Sequence, residues 1–368
     1  MNNKNQSSRI SRREFLRMSG AIAAGMLIAG CQPKLLELTE IPETEQPRAS
    51  VAIGKARNYD RAGIEHQVNL LIDQLGGLGD VVTPGDSVAI KTNLTGGISS
   101  GRLNRLPPEE SFITHPEVVR ALAKAVIAAG AKEIFIVEAV YEWASYTEWG
   151  YEELASDLGV TLIDLNDFKP YPDFMEMTVG PGGFIYNSFT FNPILNDMDV
   201  FMSVSKMKNH YLAGVTHTMK NLYGLVPYRF YRLNEQDKYR SGFHGVGAQT
   251  QERLPRIIVD LNRARPIDFS LIDGVKTTQG GEGPWISSLA PIEPGVLIAG
   301  KNAVATDAVA TAVMGHDPQG DYPDSPFVRC VNHLNLAAQA GLGTNRLDEI
   351  EVLGTPINEV LTRFVPAP

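Results

Sequence analysis

The sequence predicts an α/β fold, with a largely parallel sheet or sheets flanked by helices and a site at the carboxyl ends of the strands. Short β-branched runs recur along the chain, and helical patterns of about ten residues or more stand between them. No self-similar period of about 20–50 residues is visible, which argues against a solenoid.

In chain order, strands are expected at residues 51–54, 87–91, 133–138, 161–165, 200–204, 269–273, 296–299 and 350–353. Helices are expected at 61–75, 116–129, 148–158, 251–263, 303–314 and 331–340. Thr114 and Glu117 stand at capping-box spacing with Pro116 in the first turn, so His115 lies at a helix N-terminus. There it either meets a bound anion or is an ordinary first-turn residue. Residues 167–196, with Pro170, Pro172 and the run Gly180-Pro181-Gly182-Gly183, read as an irregular or β excursion. Residues 228–250 read as a mobile loop or lid.

The body predicted at 49–368, one large domain or two subdomains, is preceded by two other segments. Ser11-Arg12-Arg13-Glu14-Phe15-Leu16-Arg17 has the paired arginines, aromatic and leucine of a twin-arginine export signal. The weakly apolar stretch 18–30 that follows is too short to span a bilayer, which needs about 20 apolar residues. It ends at Ile28-Ala29-Gly30-Cys31, a lipobox-like sequence that makes Cys31 the expected lipidation site. Residues 32–48, with Pro33, Pro42 and Pro47, read as a flexible tether. The expected protein is therefore exported through the twin-arginine machinery and anchored to a membrane by lipid, periplasmic or at the cell surface.

The net charge of −9 argues against a nucleic-acid partner, which needs a surplus of Lys and Arg on one face. Two cysteines are present, and with Cys31 lipidated only Cys330 remains. That excludes an internal disulfide and a cysteine-ligated iron-sulfur cluster within this chain.

In open α/β sheets, ligands bind beyond the carboxyl ends of the strands. The residues there include Lys91 and Asn93, then Lys206, Lys208, Asn209 and His210, then Asp273 with the glycine-rich loop that carries Glu282. The densest cluster runs from Ser205 to Asn221. If 215–223 is helical, His217 and Asn221 fall at i and i+4, as do Thr216 and Lys220. Three lysines and two histidines among apolar residues suit a small anionic ligand, and closely spaced lysines depress one another's pKa. Lys220, His210 and His217 are therefore the catalytic candidates. Lys91, Asn93, His115, Lys206, Lys208, Asn221, Asp273 and Asp307 are the ligand-binding ones. Asp307, inside an otherwise apolar helix, needs either a neighbouring loop's backbone N–H or a ligand group.

These residues carry a resemblance to the domain of unknown function 362 family. The matching blocks are Val88-Ala89-Ile90-Lys91-Thr92-Asn93-Leu94, Thr114-His115-Pro116-Glu117, Ser205-Lys206-Met207-Lys208-Asn209-His210, Thr218-Met219-Lys220-Asn221-Leu222-Tyr223-Gly224, Ile272-Asp273-Gly274 and Ala305-Thr306-Asp307-Ala308-Val309. Together they span roughly residues 51–354. A fainter likeness is carried by His210, Ala213-Gly214, Lys220 and Pro227, which are similar in order to the motif of nickel-pincer lactate racemases. That likeness implies a metal or a nickel-bearing nucleotide cofactor held by His210 and Lys220. The racemases have a further histidine where this chain reads Val137-Glu138-Ala139-Val140, leaving Glu138 or His244 as substitutes. Three classes of function stay open: a cofactor- or metal-dependent enzyme on a small anion, a lipid-anchored anion-binding protein, and a carrier in metallocofactor assembly.

Overall fold

Runs rich in Val, Ile, Leu and Phe pair into strands because burial on both faces rewards β-branched and aromatic side chains. The computed structural model describes residues 49–103 and 106–368, within one unit spanning Pro47–Pro368. Its strands are β1 (Ala49–Lys55), β2 (Ser87–Lys91), β3 (Glu133–Glu138), β4 (Thr161–Asp164), β5 (Met175–Thr178), β6 (Ser188–Phe191), β7 (Val200–His210), β8 (Gly214–Thr216), β9 (Phe269–Gln279), β10 (Ala290–Ile292), β11 (Val296–Gly300) and β12 (Ile350–Gly354). The main sheet has the order β12-β1-β11-β9-β7-β2-β3-β4, with β10 added to β9 and β8 added to β7. The sheet is mostly parallel: β9, β7, β2, β3 and β4 run the same way, whereas β11 is antiparallel to both its neighbours.

The longer helices are α1 (Arg61–Gln74), α2 (Pro116–Ala128), α3 (Tyr151–Leu158), α4 (Arg253–Ala264), α5 (Ala303–Val313) and α6 (His333–Gln339). Apolar residues of α1, α2 and α3 form one core with Val88, Ile90, Met202 and Val204 of the sheet. On a second core, α4 and α6 pack with Ala89, Val137 and Phe201, the alternate residues of the same strands. α5 buries Ala305, Ala308 and Val309 against β1, β9 and β11 residues in a third. Two layers of helices thus enclose the sheet and leave its strand ends as the place where polar groups gather.

Four local expectations are corrected. β7 and β9 run well past Val204 and Asp273, so Lys206, Lys208 and His210 lie inside a strand rather than beyond it. The apolar run ends, but backbone pairing continues: Lys206 opposes Asp273, and Lys208 opposes Thr216 on one side and Thr278 on the other. Residues 215–223 form no α-helix, because Val215 and Thr216 belong to β8 and a short 3-10 helix follows at Lys220–Leu225. The helix expected at 148–158 is divided at Gly150, whose φ of 78° is left-handed. Finally, the cap of α2 is His115 itself: its Nδ1 accepts the Glu117 N–H at 3.1 Å, while Thr114 Oγ1 turns away to the Val204 carbonyl.

Residues 167–196 contain the β5–β6 hairpin, as the glycine and proline spacing suggested. The 228–250 segment is pinned to the body by Tyr231 and Phe243, which pack on one another and on Phe189. Among the described residues no helix is long and apolar enough to cross a membrane. The expected signal, tether and lipidated Cys31 lie outside the described residues.

Candidate functional site

Because β9, β7, β2 and β3 are parallel neighbours, their carboxyl ends deliver side chains to one place. A cavity of about 430 Å³ opens there, lined by Lys91 from the end of β2, Glu138 from β3 and His210 from β7. Glu282 reaches it from the loop after β9, and Lys220 and Asn221 from the turn after β8. Tyr239, Arg240 and His244 of the 228–250 segment close the wall, with Tyr141, Tyr223 and Trp285 supplying aromatic surface. The volume is within the range of small-molecule sites, about 300–1,000 Å³.

The floor is a buried ion pair. Lys91 Nζ lies 2.9 Å from Glu138 Oε1 and also donates to the Thr92 carbonyl and Asn221 Oδ1. Burial lowers the Lys91 pKa, and the Glu138 carboxylate opposes that fall. Glu138 is itself fixed by the N–H groups of Leu94 and Ala139, at 2.9 and 3.0 Å. Asn221 Nδ2 donates to Ser203 Oγ at 3.1 Å, and Asn93 Nδ2 donates to Asn221 Oδ1 at 3.3 Å. The buried Asn93 Oδ1 has no hydrogen-bond partner among the described residues.

Above this floor stand two cations without carboxylate partners among the described residues. The Arg240 guanidinium is buried, donates to the Val226 carbonyl at 2.7 Å and lies 5.4 Å from the Tyr223 ring centre. Lys220 Nζ is 4.3 Å from that same ring centre and makes no hydrogen bond to a described residue. Burial pushes the Lys220 pKa down to about 7; Glu282 and Glu138 oppose this, and Lys91 and Arg240 add to it. The amine is therefore half neutral at neutral pH.

The two cavity histidines are neutral. Burial, then the nearby Lys220, takes His210 well below its usual value and His244 to about 4. His210 Nδ1 accepts the Leu212 N–H at 3.1 Å, which assigns the ring proton to Nε2. The remaining nitrogen is then a hydrogen-bond donor, whereas a metal ligand needs a free lone pair there. Among the described residues no group of three or more His, Cys, Asp or Glu is placed to hold a metal ion. The residues present fit an anion better than they fit the metal expected at His210.

Of the residues singled out in the sequence, Lys91, Asn93, His210, Lys220 and Asn221 line this cavity. Lys206, Asp273 and His115 form a different, closed network. Lys206 Nζ lies 2.9 Å from Asp273 Oδ2 and donates also to Tyr59 Oη and the Glu109 carbonyl, so its three protons are all used. His115 donates its backbone N–H to Asp273 Oδ2 and stacks on Tyr59 with ring centres 3.7 Å apart. Lys208 reaches the Phe112 carbonyl at 2.5 Å, and His217 is fully buried away from the cavity.

Asp307 takes the backbone alternative. Its carboxylate accepts the N–H groups of Thr218 and Met219, each at 2.9 Å, and the Thr218 hydroxyl. It thereby fixes the turn that presents Lys220. Asp307→Ala would leave three buried donors unpaired and is expected to cost about 3 kcal/mol of stability. A urea-unfolding midpoint unchanged from wild type would contradict that role.

Tyr59 and Arg240 were not foreseen. Tyr59 sits in the loop before α1 and Arg240 in a polar segment, and only tertiary packing half-buries the first and buries the second.

A curated relative, the thylakoid-associated protein sll1697 of Synechocystis sp., is 28% identical over 271 residues, covering 73% of this chain and 75% of its own. Among solved structures, a Thermotoga maritima protein matches with a TM-score of 0.37 and 14% identity, over 78% of this chain and 60% of that one. The lactate racemase apoprotein of Thermoanaerobacterium thermosaccharolyticum matches with a TM-score of 0.36 and 13% identity, over 67% of this chain and 54% of that one. The family model described as Domain of unknown function (DUF362) matches residues 88–312, well over half of the sequence, and the chain belongs to that family.

Proposed function

We propose that the cavity is the active site of an enzyme acting on a small anion with a planar or aromatic part. The observation that carries this reading is the pair of buried cations, Lys220 and Arg240, that flank one tyrosine ring and lack carboxylate partners among the described residues. Leaving buried charge unpaired is costly, and a bound carboxylate or phosphate would relieve that cost. The aromatic walls suit a flat ligand body, and the neutral fraction of Lys220 supplies an amine base or nucleophile. Simple capture would need only donors, so the half-neutral lysine favours an enzyme over a binding protein.

The sign of the pH dependence follows from Lys220. Its folded pKa is lowered to about 7, so the amine is cationic below that pH and neutral above it. Affinity for a carboxylate should therefore fall as pH rises from 6 to 8 in this expected profile. Calorimetric titration of the full chain with phenylacetate tests this. Arg240→Gln should weaken binding by roughly 10–100-fold, the weight of a charged hydrogen bond of about 1.5–3 kcal/mol. Binding that is absent, or indifferent to both pH and Arg240, would refute the reading.

The same proposal keeps the protein exported and lipid-anchored, on the strength of Arg12-Arg13 and Cys31 in the sequence. The Synechocystis relative is named as thylakoid-associated, which is compatible with membrane attachment. Replacing both arginines with lysine should hold the precursor in the cytoplasm. Cys31→Ala should release the protein from membranes, and full retention after a high-salt wash would contradict the anchor.

A further inference from the structure

We infer that the anion taken by this cavity is a small oxo acid, a carboxylate with a ketone or aldehyde within a few atoms, and that it forms an imine with Lys220. This rests on the anion site proposed above and narrows its substrate class.

A buried lysine normally spends its donors on carbonyls or carboxylates, as Lys206 does on Tyr59, Glu109 and Asp273. Lys91 is likewise committed to Glu138, Thr92 and Asn221, and Lys208 to Phe112. Lys220 alone among these four has no such partner among the described residues, yet it is 7% exposed and faces the cavity. What it has instead is the face of Tyr223 at 4.3 Å, a contact that leaves the nitrogen lone pair of the neutral amine uncommitted. Arg240 lies 5.4 Å from the centre of the same ring. A reactive amine and an anion receptor are thus held on one ring, as a molecule carrying both a carbonyl and a carboxylate requires. Guanidinium matches carboxylate geometry through paired N–H donors.

The chemistry balances without a co-reactant. The Lys220 lone pair attacks the carbonyl carbon to form a C–N bond, and the π pair moves to oxygen, which takes up a proton. Loss of the amine protons and departure of the hydroxyl as water gives the C=N bond. Ketone and amine become imine and water, with nothing oxidised or reduced. Tyr141 and His210 both line the cavity, and a phenol O–H and an imidazole N–H are the donor types that the departing oxygen requires. Burial, which keeps the amine half neutral near pH 7, separates it from surface lysines, of which about one in a few thousand is neutral at that pH.

The test is reductive trapping on the full-length protein. The chain is incubated with phenylpyruvate at pH 8, sodium borohydride is added, and peptides are mapped by mass spectrometry. The expected result is an adduct equal in mass to the acid less one oxygen atom, on Lys220 at least ~100-fold more than on any other lysine. It should form only when borohydride is present, and should vanish in Lys220→Arg and Lys220→Met. Yield should rise between pH 6 and pH 8, opposite to the trend for phenylacetate, which lacks the carbonyl. Calorimetry with both acids runs alongside. If both bind and Lys220 is not trapped, the imine is overturned and the anion site stands. If neither binds, the anion site and the imine fall together.

Discussion

Asp273→Ala is expected to cost about 3–5 kcal/mol of folding stability, the penalty of stranding one partner of a buried ion pair. Lys206 and Asp273 are both fully buried and 2.9 Å apart. The carboxylate is also the acceptor for the Tyr59 hydroxyl at 2.8 Å and for the N–H groups of His115 and Val275. Alanine would leave the His115 and Val275 N–H groups without this acceptor and the Tyr59 hydroxyl with only the Lys276 carbonyl. Burial already lowers the Lys206 pKa against the pull of Asp273, and without that carboxylate it would fall further. The measurement is urea unfolding of wild type, Asp273→Ala and the double variant Lys206→Met, Asp273→Leu. Replacing both charges should recover much of the loss, because a well-packed apolar pair avoids the desolvation that the ion pair carries. A loss under about 1 kcal/mol in the single variant would remove this network from the stability of the fold.

Gly224→Ala is expected to be nearly as damaging, by a different route. The backbone there has φ −83°, so alanine meets no conformational penalty. The cost comes from space: an added Cβ would press on Glu138 Oε1 and stand 2.8 Å from Lys91 Nζ. Glu138 cannot swing aside, since the N–H groups of Leu94 and Ala139 hold it, and the Ala139 N–H also donates to the Gly224 carbonyl at 3.0 Å. Splitting the Lys91–Glu138 pair should cost about 3–5 kcal/mol and deform the cavity floor. Phenylacetate affinity and the urea midpoint should fall together. Unchanged values for both would show that the pair and its glycine neighbour are not tightly packed.

How far the sequence revealed this arrangement differs from element to element. The eight apolar strand runs and the helices between them were legible because periodicity and length are local properties. The polar half of β7 was not, since Lys206, Lys208 and His210 break the apolar run that marks a buried strand. They are tolerated there only because partners arrive from elsewhere: Asp273 across the sheet, the carbonyls of Glu109 and Phe112 from the loop before α2, and the Leu212 N–H. The mistaken helix at 215–223 has the same origin. Its side-chain spacing suited a helix, but pairing of Gly214–Thr216 with the end of β7 decided the backbone.

Strand-end reasoning located Lys91, Asn93, His210, Lys220 and Asn221 at one cavity, and it gathered His115, Lys206 and Asp273 with them. The second group lies in the same sheet region but turns toward Tyr59. Which lysine faces the cavity depends on packing, which no spacing in the sequence encodes. Arg240 was hidden for a related reason: a polar segment gives no sign that one of its arginines will be buried beside a tyrosine.

The central claim, that Lys220 is a half-neutral amine inside an anion site, is tested most directly by its own titration. The full chain is treated briefly with acetic anhydride across pH 5–10, and modification of each lysine is read by peptide mass spectrometry, with and without saturating phenylacetate. The predicted result is a Lys220 profile centred near pH 7, shifted upward and slowed when the carboxylate is present. A profile centred near the ordinary lysine value of about 10.4, untouched by phenylacetate, would contradict the account.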